Sequence, residues 1–399
     1  MKIRVGVFFG GKTVEHEVSV ISAMQAIAAL DREKYEVVPV YITKDNRLFT
    51  GQVFLTDGWY RDIPAALSTG VRVLPVREGN AVQLMRHPAP RFGKAYVAAI
   101  DVALPVVHGT NVEDGALQGF LEYLDLPYAG PDVASAAAGM DKWTMKALFR
   151  AAHVPVCDGV RFTAAQWFAD ADAARARVLA AVGLPCVVKP VNLGSSVGIG
   201  FARDEDALAQ CVTDAFSYAP VVLCERAVQN LREINCAVLG DRDGARVSVC
   251  EEPLNATDVL TYRDKYMAPG GAKGGKSGGG GMAQLARQVP AALSPEQTER
   301  AQSLALQAFQ AIDASGCARV DLLMDGATGE FCVNEINTIP GSLAFYLWEA
   351  SGLSFSALLD EMIALALKRR RELDGLQRSF DVNLLQSASL GGAKGAKRA

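Results

Sequence analysis

The chain has 399 residues, 50% of them hydrophobic, with 40 basic and 44 acidic side chains and a formal charge of −4 at pH 7. That length suits two or three domains with substantial cores, and the near-balanced charge argues against nucleic acid or an anionic membrane as the main partner. No apolar run approaches the roughly 18 residues of a membrane span, and MKIRVGVFFGG runs into charged sequence without a small-residue cleavage site, so a first strand and a cytoplasmic location are expected.

In chain order, residues 1–131 read as the strand IRVGVFF, the helical pattern HEVSVISAMQAIAAL, the strand YEVVPVYI, a polar stretch over 44–95, the strand VALPVVHG and the helix EDGALQGFLEYLD. Strand, helix, strand at this rhythm predicts an α/β unit with a parallel sheet. Residues 132–223 form a smaller α/β unit: the helix DKWTMKALFRAA, a helix over 164–182, the strand PCVVKP and a Gly-Ser turn. Residues 224–382 begin with the strands LCERAV, REINCAVLG and RVSVCEEP. A glycine-rich loop at about 256–290, a long helix over 295–314, a hairpin and C-terminal helices follow, and the tail 383–399 is expected to be disordered.

The hairpin, RVDLLMDGATGEFCVNEIN over 319–337, is the most informative segment. Two apolar runs flank a turn, and alternation along a strand puts Arg319 with Asp321 on one face and Glu335 with Asn337 on one face. Three hard oxygen donors beside a guanidinium suit Mg²⁺ shared with phosphate oxygens, with the arginine over developing negative charge. A solvated acidic face explains the spacing equally well. The eight cysteines never approach C-x-x-C spacing and the four histidines never pair, so buried reduced thiols are expected in place of zinc ligands.

Four glycine-rich elements compete for a phosphate. GGAKGGKS at 270–277 matches the P-loop pattern by letter, but it follows TYRDKYMAP instead of a buried strand, and eight glycines in twelve residues make a lid the better reading. Gly10 and Gly11 allow close backbone approach at a sheet edge, followed by Glu15, which reads either as an amine receptor or as a first-turn acid against the helix dipole. In KPVNLGSSVGIG, Lys189 ends an apolar strand before a turn whose N–H groups and hydroxyls can cradle phosphate. In HGTNVEDG, Glu113 and Asp114 are expected to open a helix, which leaves His108 unexplained.

The segments GGKTVEHEVSV, VVHGTNVEDGALQGFLE, LPYAGPDVASAAAGMDK, VVKPVNLGSSVGIG, REINCAVLG, YRDKY, RVD and NEINTIPG occur in the order found in D-alanine–D-alanine ligases of the ATP-grasp superfamily. The chain resembles that family from residue 1 to about 370. The resemblance implies a three-domain ATP-grasp architecture with an N-terminal parallel-sheet domain, ATP and two Mg²⁺ (or Mn²⁺) ions as cofactors, D-alanine as substrate, a role in peptidoglycan synthesis and assembly as a homodimer.

Position by position, the resemblance implies that Lys142, Lys189, Ser195 and Ser196 meet ATP phosphates, with Lys265 at the γ-phosphate. Glu225 and Val228 are then expected at the adenine, Glu233 at the ribose, and Asp321, Glu335 and Asn337 at the metals. Glu15 would receive the first substrate ammonium with Ser195 and Tyr266, Arg319 and the Gly341 N–H would hold an oxyanion, and His108 would help orient carboxylates. Three positions depart from the pattern: Val112 stands for glycine, the lid is long, and SLAFYLWE puts Tyr346 and Leu347 where a Ser-Leu pair usually binds the acceptor carboxylate. A ligase with another D-amino or D-hydroxy acid acceptor, or a non-catalytic nucleotide binder on the same scaffold, therefore remains open alongside.

Overall fold

A computed structural model describes residues 2–89, 91–254 and 287–377. The first unit contains β1 (Ile3–Gly10), α1 (His16–Ala29), β2 (Tyr35–Ile42), β3 (Leu48–Thr50), α2 (Ile63–Thr69), β4 (Val71–Glu78), β5 (Ala81–Arg86), β6 (Tyr96–Ile100), β7 (Val102–Pro105) and α3 (Ala116–Tyr123). One sheet runs β6-β5-β4-β3-β2-β1-β7, with β1 parallel to both neighbours and the strands from β2 to β6 antiparallel. The stretch 44–95, expected only as polar connection, thus extends the sheet. Its strands hide in composition because β4 alternates a core face with a solvent face and carries charges between its apolar residues. In α1 the buried positions recur three to four residues apart, and two are serines: Ser19 donates to Val106 O (2.6 Å) and accepts from Gly10 N (2.8 Å).

The second unit contains α4 (Val133–Met140), α5 (Lys142–Ala151), β8 (Gly159–Thr163), α6 (Ala164–Ala169), α7 (Ala171–Ala181), β9 (Cys186–Pro190), β10 (Gly200–Ala202), α8 (Glu205–Ala215) and β11 (Val221–Arg226). Its antiparallel sheet runs β10-β9-β11-β8, so the strand expected to open the third region at Cys224 pairs here. The expected helix over 164–182 is two helices, broken at Asp170, whose carboxylate leaves the helical path to cap Ala173 N (2.9 Å).

The third unit contains β12 (Leu231–Asp241), β13 (Gly244–Pro253), β14 (Arg287–Gln288), α9 (Pro295–Ala311), β15 (Gly316–Asp325), β16 (Phe331–Asn337), α10 (Phe345–Ala350) and α11 (Phe355–Asp374), with sheet order β14-β13-β12-β15-β16. Met145 and Phe149 of α5 bury in this unit's core beside Ile234 and Val320. Conversely, Leu347, Trp348, Leu358 and Leu359 of α10 and α11 bury against Phe8 and Val107 of the first unit, each such side chain contributing about 1.5–3 kcal/mol. Arg369 fastens α11 to that unit by donating to Tyr128 O (2.6 Å) and Gly130 O (2.9 Å). The three sheets are therefore locked through exchanged helices, and the segment after β16 is held between the first and third. No single helix among the described residues is long and apolar enough to cross a membrane.

Candidate active site

The hairpin of β15 and β16 forms, and its register sets Asp321 opposite Glu335 and Arg319 opposite Asn337. Arg319 donates through both arms of its fork to Asp321 (Nε to Oδ1 2.6 Å, Nη2 to Oδ2 2.7 Å), and Asn337 Nδ2 donates to Asp321 Oδ2 (3.1 Å). Burial opposes the Arg319 charge, but Asp321 raises its pKa well above the usual value, so the guanidinium is permanently ionised. A bulge between Asp321 and Leu322 makes Asn334 the extra residue of β16. Strict alternation would turn Asn334 away from Glu335, yet its Oδ1 accepts from Lys189 Nζ (2.8 Å).

Two lysines and a glutamate continue this array on the second unit. Lys189, in register beside Leu223 of β11, donates to Glu225 Oε2 (2.8 Å), and Glu225 Oε1 forms a second ion pair with Lys146 of α5. Burial would raise the Glu225 carboxyl, but the two ammonium groups hold it down to about 2. A buried charge needs this compensation. Lys142, four residues before Lys146, donates to Leu193 O (2.7 Å) and pairs with Glu335 Oε2 (3.1 Å). Lys189, Ser196, Glu225, Val228, Glu233 and Asp321 line one cavity. The Glu225 carboxylate, expected at an adenine, is held by lysines at the wall of that cavity.

A second cavity, about 70 Å³, opens between the three units and shares Lys142, Leu193, Gly194 and Glu335 with the first. Glu15 sits at the N-cap of α1 without a side-chain capping bond and accepts instead from Ser195 Oγ of the second unit. The backbone approaches Glu15 closely on both sides: a Cβ on Gly109, itself at φ 84°, would stand 2.3 Å from Thr13 Oγ1 and 2.8 Å from Glu15 Oε2, and one on Gly194 would stand 2.7 Å from Glu15 Oε2. Ser195, Ser196 and the shared Gly194 carry the turn after β9, the two serines at φ 52° and 58°. Arg319, Asn337 and Gly341 complete the wall.

His108 lines this second cavity as well. Its Nδ1–H donates to Ile339 O (2.9 Å), which fixes the tautomer, and its Nε2 accepts from Ser22 Oγ (2.9 Å), while Ser22 Oγ accepts from Ser342 N (2.9 Å). Burial pushes the ring down to about 4, so it is neutral at pH 7. This relay holds Gly341 between two pinned residues, ahead of three left-handed non-glycine residues, Ser342, Leu343 and Ala344 (φ 52°, 53° and 50°), whose strain persists only under such restraint.

Glu113 does not open a helix. α3 begins at Ala116, and the Glu113 carboxyl instead receives Gly109 N (Oε2, 3.0 Å) and Ile339 N (Oε1, 3.0 Å). Burial and the nearby Glu15 charge push it up to about 8. A raised folded-state pKa contributes stability that is complete below the ordinary value of 4.5 and lost as pH rises through about 8. Glu113→Gln keeps an acceptor oxygen and removes the titration, so its Tm should stay flat from pH 5 to 8 while that of the parent falls by a few degrees. Parallel profiles in scanning calorimetry would remove the neutral Glu113.

The expected acceptor pair is not at either cavity. Leu347 is fully buried in the core, and Tyr346 donates its hydroxyl to Glu251 (2.8 Å) beneath the Arg287 guanidinium, 4.1 Å from the ring centroid. Val112 fills the space over Gly11, where a Cβ would stand 2.6 Å from its Cγ1. Lys265, Tyr266 and the 270–277 glycine run lie outside the described residues. Sequence reasoning did not find Lys146, Asn334 or Ser22, and it gave Glu113 only a helix-opening place.

Residues 4–131 match the family model described as the D-ala D-ala ligase N-terminus, and residues 148–364 match that of the D-ala D-ala ligase C-terminus. The D-alanine–D-alanine ligase A of Bradyrhizobium diazoefficiens is 38% identical over 391 residues, covering 95% of this chain and 99% of the relative. Among solved structures, the D-alanine–D-alanine ligase of Coxiella burnetii superposes with a TM-score of 0.77 at 30% identity, over 94% of this chain and 96% of that one. The VanG D-Ala:D-Ser ligase of Enterococcus faecalis superposes with a TM-score of 0.74 at 28% identity, over 92% and 100%.

Proposed function

The chain belongs to the D-alanine–D-alanine ligase family and is an ATP-dependent, ADP-forming ligase of D-alanine, and we propose that its two joined cavities divide the work between phosphoryl donor and amino acid. The observation that carries this division is the Lys142–Glu335 pair at the seam, shared by both cavities and flanked by Lys189 and Asp321 on one side and Arg319 on the other.

In this reading ATP lies in the outer cavity, its phosphates toward Lys142, Lys189 and the Ser195–Ser196 turn and its adenosine toward Val228 and Glu233. The internal acids that now face these lysines, Glu225 and Glu335, keep the ammonium groups buried and charged, so they need no reorganisation when phosphate arrives. Lys265 is assigned to the γ-phosphate and Tyr266 to the first substrate by family pattern. Asp321, Glu335 and Asn337 fit Mg²⁺ or Mn²⁺: they are oxygen donors on one register pair and its neighbour, and Arg319 and Lys142 already balance the carboxylates, so anionic phosphate oxygens are what a cation there would still require. When bound there, such ions would supply positive charge against the phosphate oxygens of ATP.

Glu15, oriented by Ser195, receives the ammonium of the first D-alanine in the inner cavity and aims its carboxylate at the seam. Attack on the γ-phosphorus gives an acylphosphate and ADP. The amine of the second D-alanine then attacks the acyl carbon, and the Arg319 guanidinium with the Gly341 N–H holds the tetrahedral oxyanion before phosphate leaves. His108 acts one bond removed, by fixing the turn that presents Gly341. The acylphosphate must be kept from water, a task for which the glycine-rich segment at about 256–290 is suited. A homodimer in the cytoplasm, feeding peptidoglycan synthesis, completes the reading.

Purified protein with ATP and Mg²⁺ should release ADP only when D-alanine is added, and no D-alanine-dependent release would sink the reading. The same assay scans D-serine, other D-amino acids and D-lactate as acceptors. The two acceptors D-alanine and D-lactate share a carboxylate and differ in the attacking group, and because an amine is the stronger nucleophile D-alanine should turn over at least about tenfold faster than D-lactate.

A further inference from the structure

The eight cysteines were expected to be buried reduced thiols, and two of them meet at the wall of the outer cavity. Cys157 and Cys332, 175 residues apart in sequence, are each partly exposed and their Sγ atoms lie 2.9 Å apart. Cys157 lines the cavity with Lys189 and Glu225, while Cys332 stands on β16, outside both cavities. The backbone is already drawn together there, since Val333 N donates to Pro155 O (2.8 Å). The sulfurs are thus within an ångström of the bonding distance of about 2.05 Å.

We propose that Cys157 and Cys332 form a peroxide-oxidisable thiol pair, and that nucleotide in the outer cavity shields it, so that redox state and nucleotide occupancy are coupled. The asymmetry needed for such chemistry is present. Donation by the Cys332 thiol, against the cost of burial and with Lys146 and Lys189 nearby, holds Cys157 down to about 7, whereas Cys332 is raised. The thiolate is the nucleophile, and a resolving thiol stands beside it.

The chemistry balances. The Cys157 thiolate attacks one oxygen of hydrogen peroxide; the S–O bond forms as O–O breaks, and the leaving hydroxide takes a proton to become water. The Cys332 sulfur then attacks the sulfenic sulfur; S–S forms, S–O breaks, and a second water leaves with the Cys332 proton. Two thiols lose two electrons to one peroxide. Thioredoxin-class dithiols reverse the step. The coupling follows from geometry, because oxidant reaching Cys157 and the adenosine expected beside Glu225 approach through one cavity.

This inference rests on the outer cavity taking ATP, and its test separates the two. Full-length protein is treated with stoichiometric hydrogen peroxide, digested without reductant and mapped by mass spectrometry. The expected product is a Cys157–Cys332 linked peptide pair, 2 Da lighter than the two thiols, removed by dithiothreitol and absent from Cys332→Ser, which keeps its basal turnover. No linkage, or linkage confined to other cysteines, overturns the pair whatever the enzyme does with ATP. Linkage should form several-fold more slowly with saturating adenylyl imidodiphosphate, its binding checked by calorimetry. Binding without protection overturns the coupling; absence of binding overturns the nucleotide assignment and leaves the linkage result standing.

Discussion

Glu335→Gln should lower D-alanine-dependent ADP release by about two to three orders of magnitude while leaving the fold intact. Glu335 stands opposite Asp321 in register and alone among the expected metal ligands faces both cavities. Glutamine keeps the shape and an acceptor oxygen for Lys142, whose second bond to Leu193 O is untouched, so the stability loss should be about 1–2 kcal/mol. What disappears is one negative charge at the place where the donor set was argued to take a cation. Losing several kcal/mol of transition-state stabilisation lowers kcat by about two to three orders of magnitude. The discriminating measurement is a Mg²⁺ or Mn²⁺ titration: half-saturation should move to higher metal concentration. Unchanged half-saturation with near-parental kcat would take Glu335 out of the metal set.

What could be read from the sequence divides along one line. Features set by local periodicity were legible. The shared face of Arg319 with Asp321 and of Glu335 with Asn337 follows from alternation, and the lysine near the end of β9 follows from an apolar strand that delivers a charge. Features set by a break in periodicity, or by what covers a segment, were not. Asn334 reaches Lys189 only because β16 bulges. Lys146 reads as a solvated lysine one turn beyond Lys142, and is 1% exposed because it pairs with Glu225 of β11, 79 residues on in the same unit. Glu113 and Asp114 have the composition of a helix start, but the bond from Ile339 N, 226 residues away, draws Glu113 inward. The departure at Tyr346 was visible, whereas its partner Glu251 was not, because nothing in SLAFYLWE points to β13.

Arg319→Lys should uncouple the two half-reactions. The guanidinium holds Asp321 through two parallel bonds and lines the inner cavity beside Gly341, and an ammonium can supply charge there without the fork. Acylphosphate formation draws mainly on Lys142, Lys189 and the carboxylates at the seam, none of which is altered, so ADP release should fall by roughly tenfold or less, through looser placement of Asp321. The oxyanion of the second step has Arg319 as its charged donor, and losing one such donor costs about 10²–10³ in rate. An acylphosphate that forms faster than it is aminolysed is hydrolysed, so ADP should exceed dipeptide in the variant, against parity in the parent. Counting both products in the same reaction decides the matter. Parity at a uniformly reduced rate would move Arg319 from the oxyanion to the phosphoryl step, and parity at the parental rate would remove it from the chemistry.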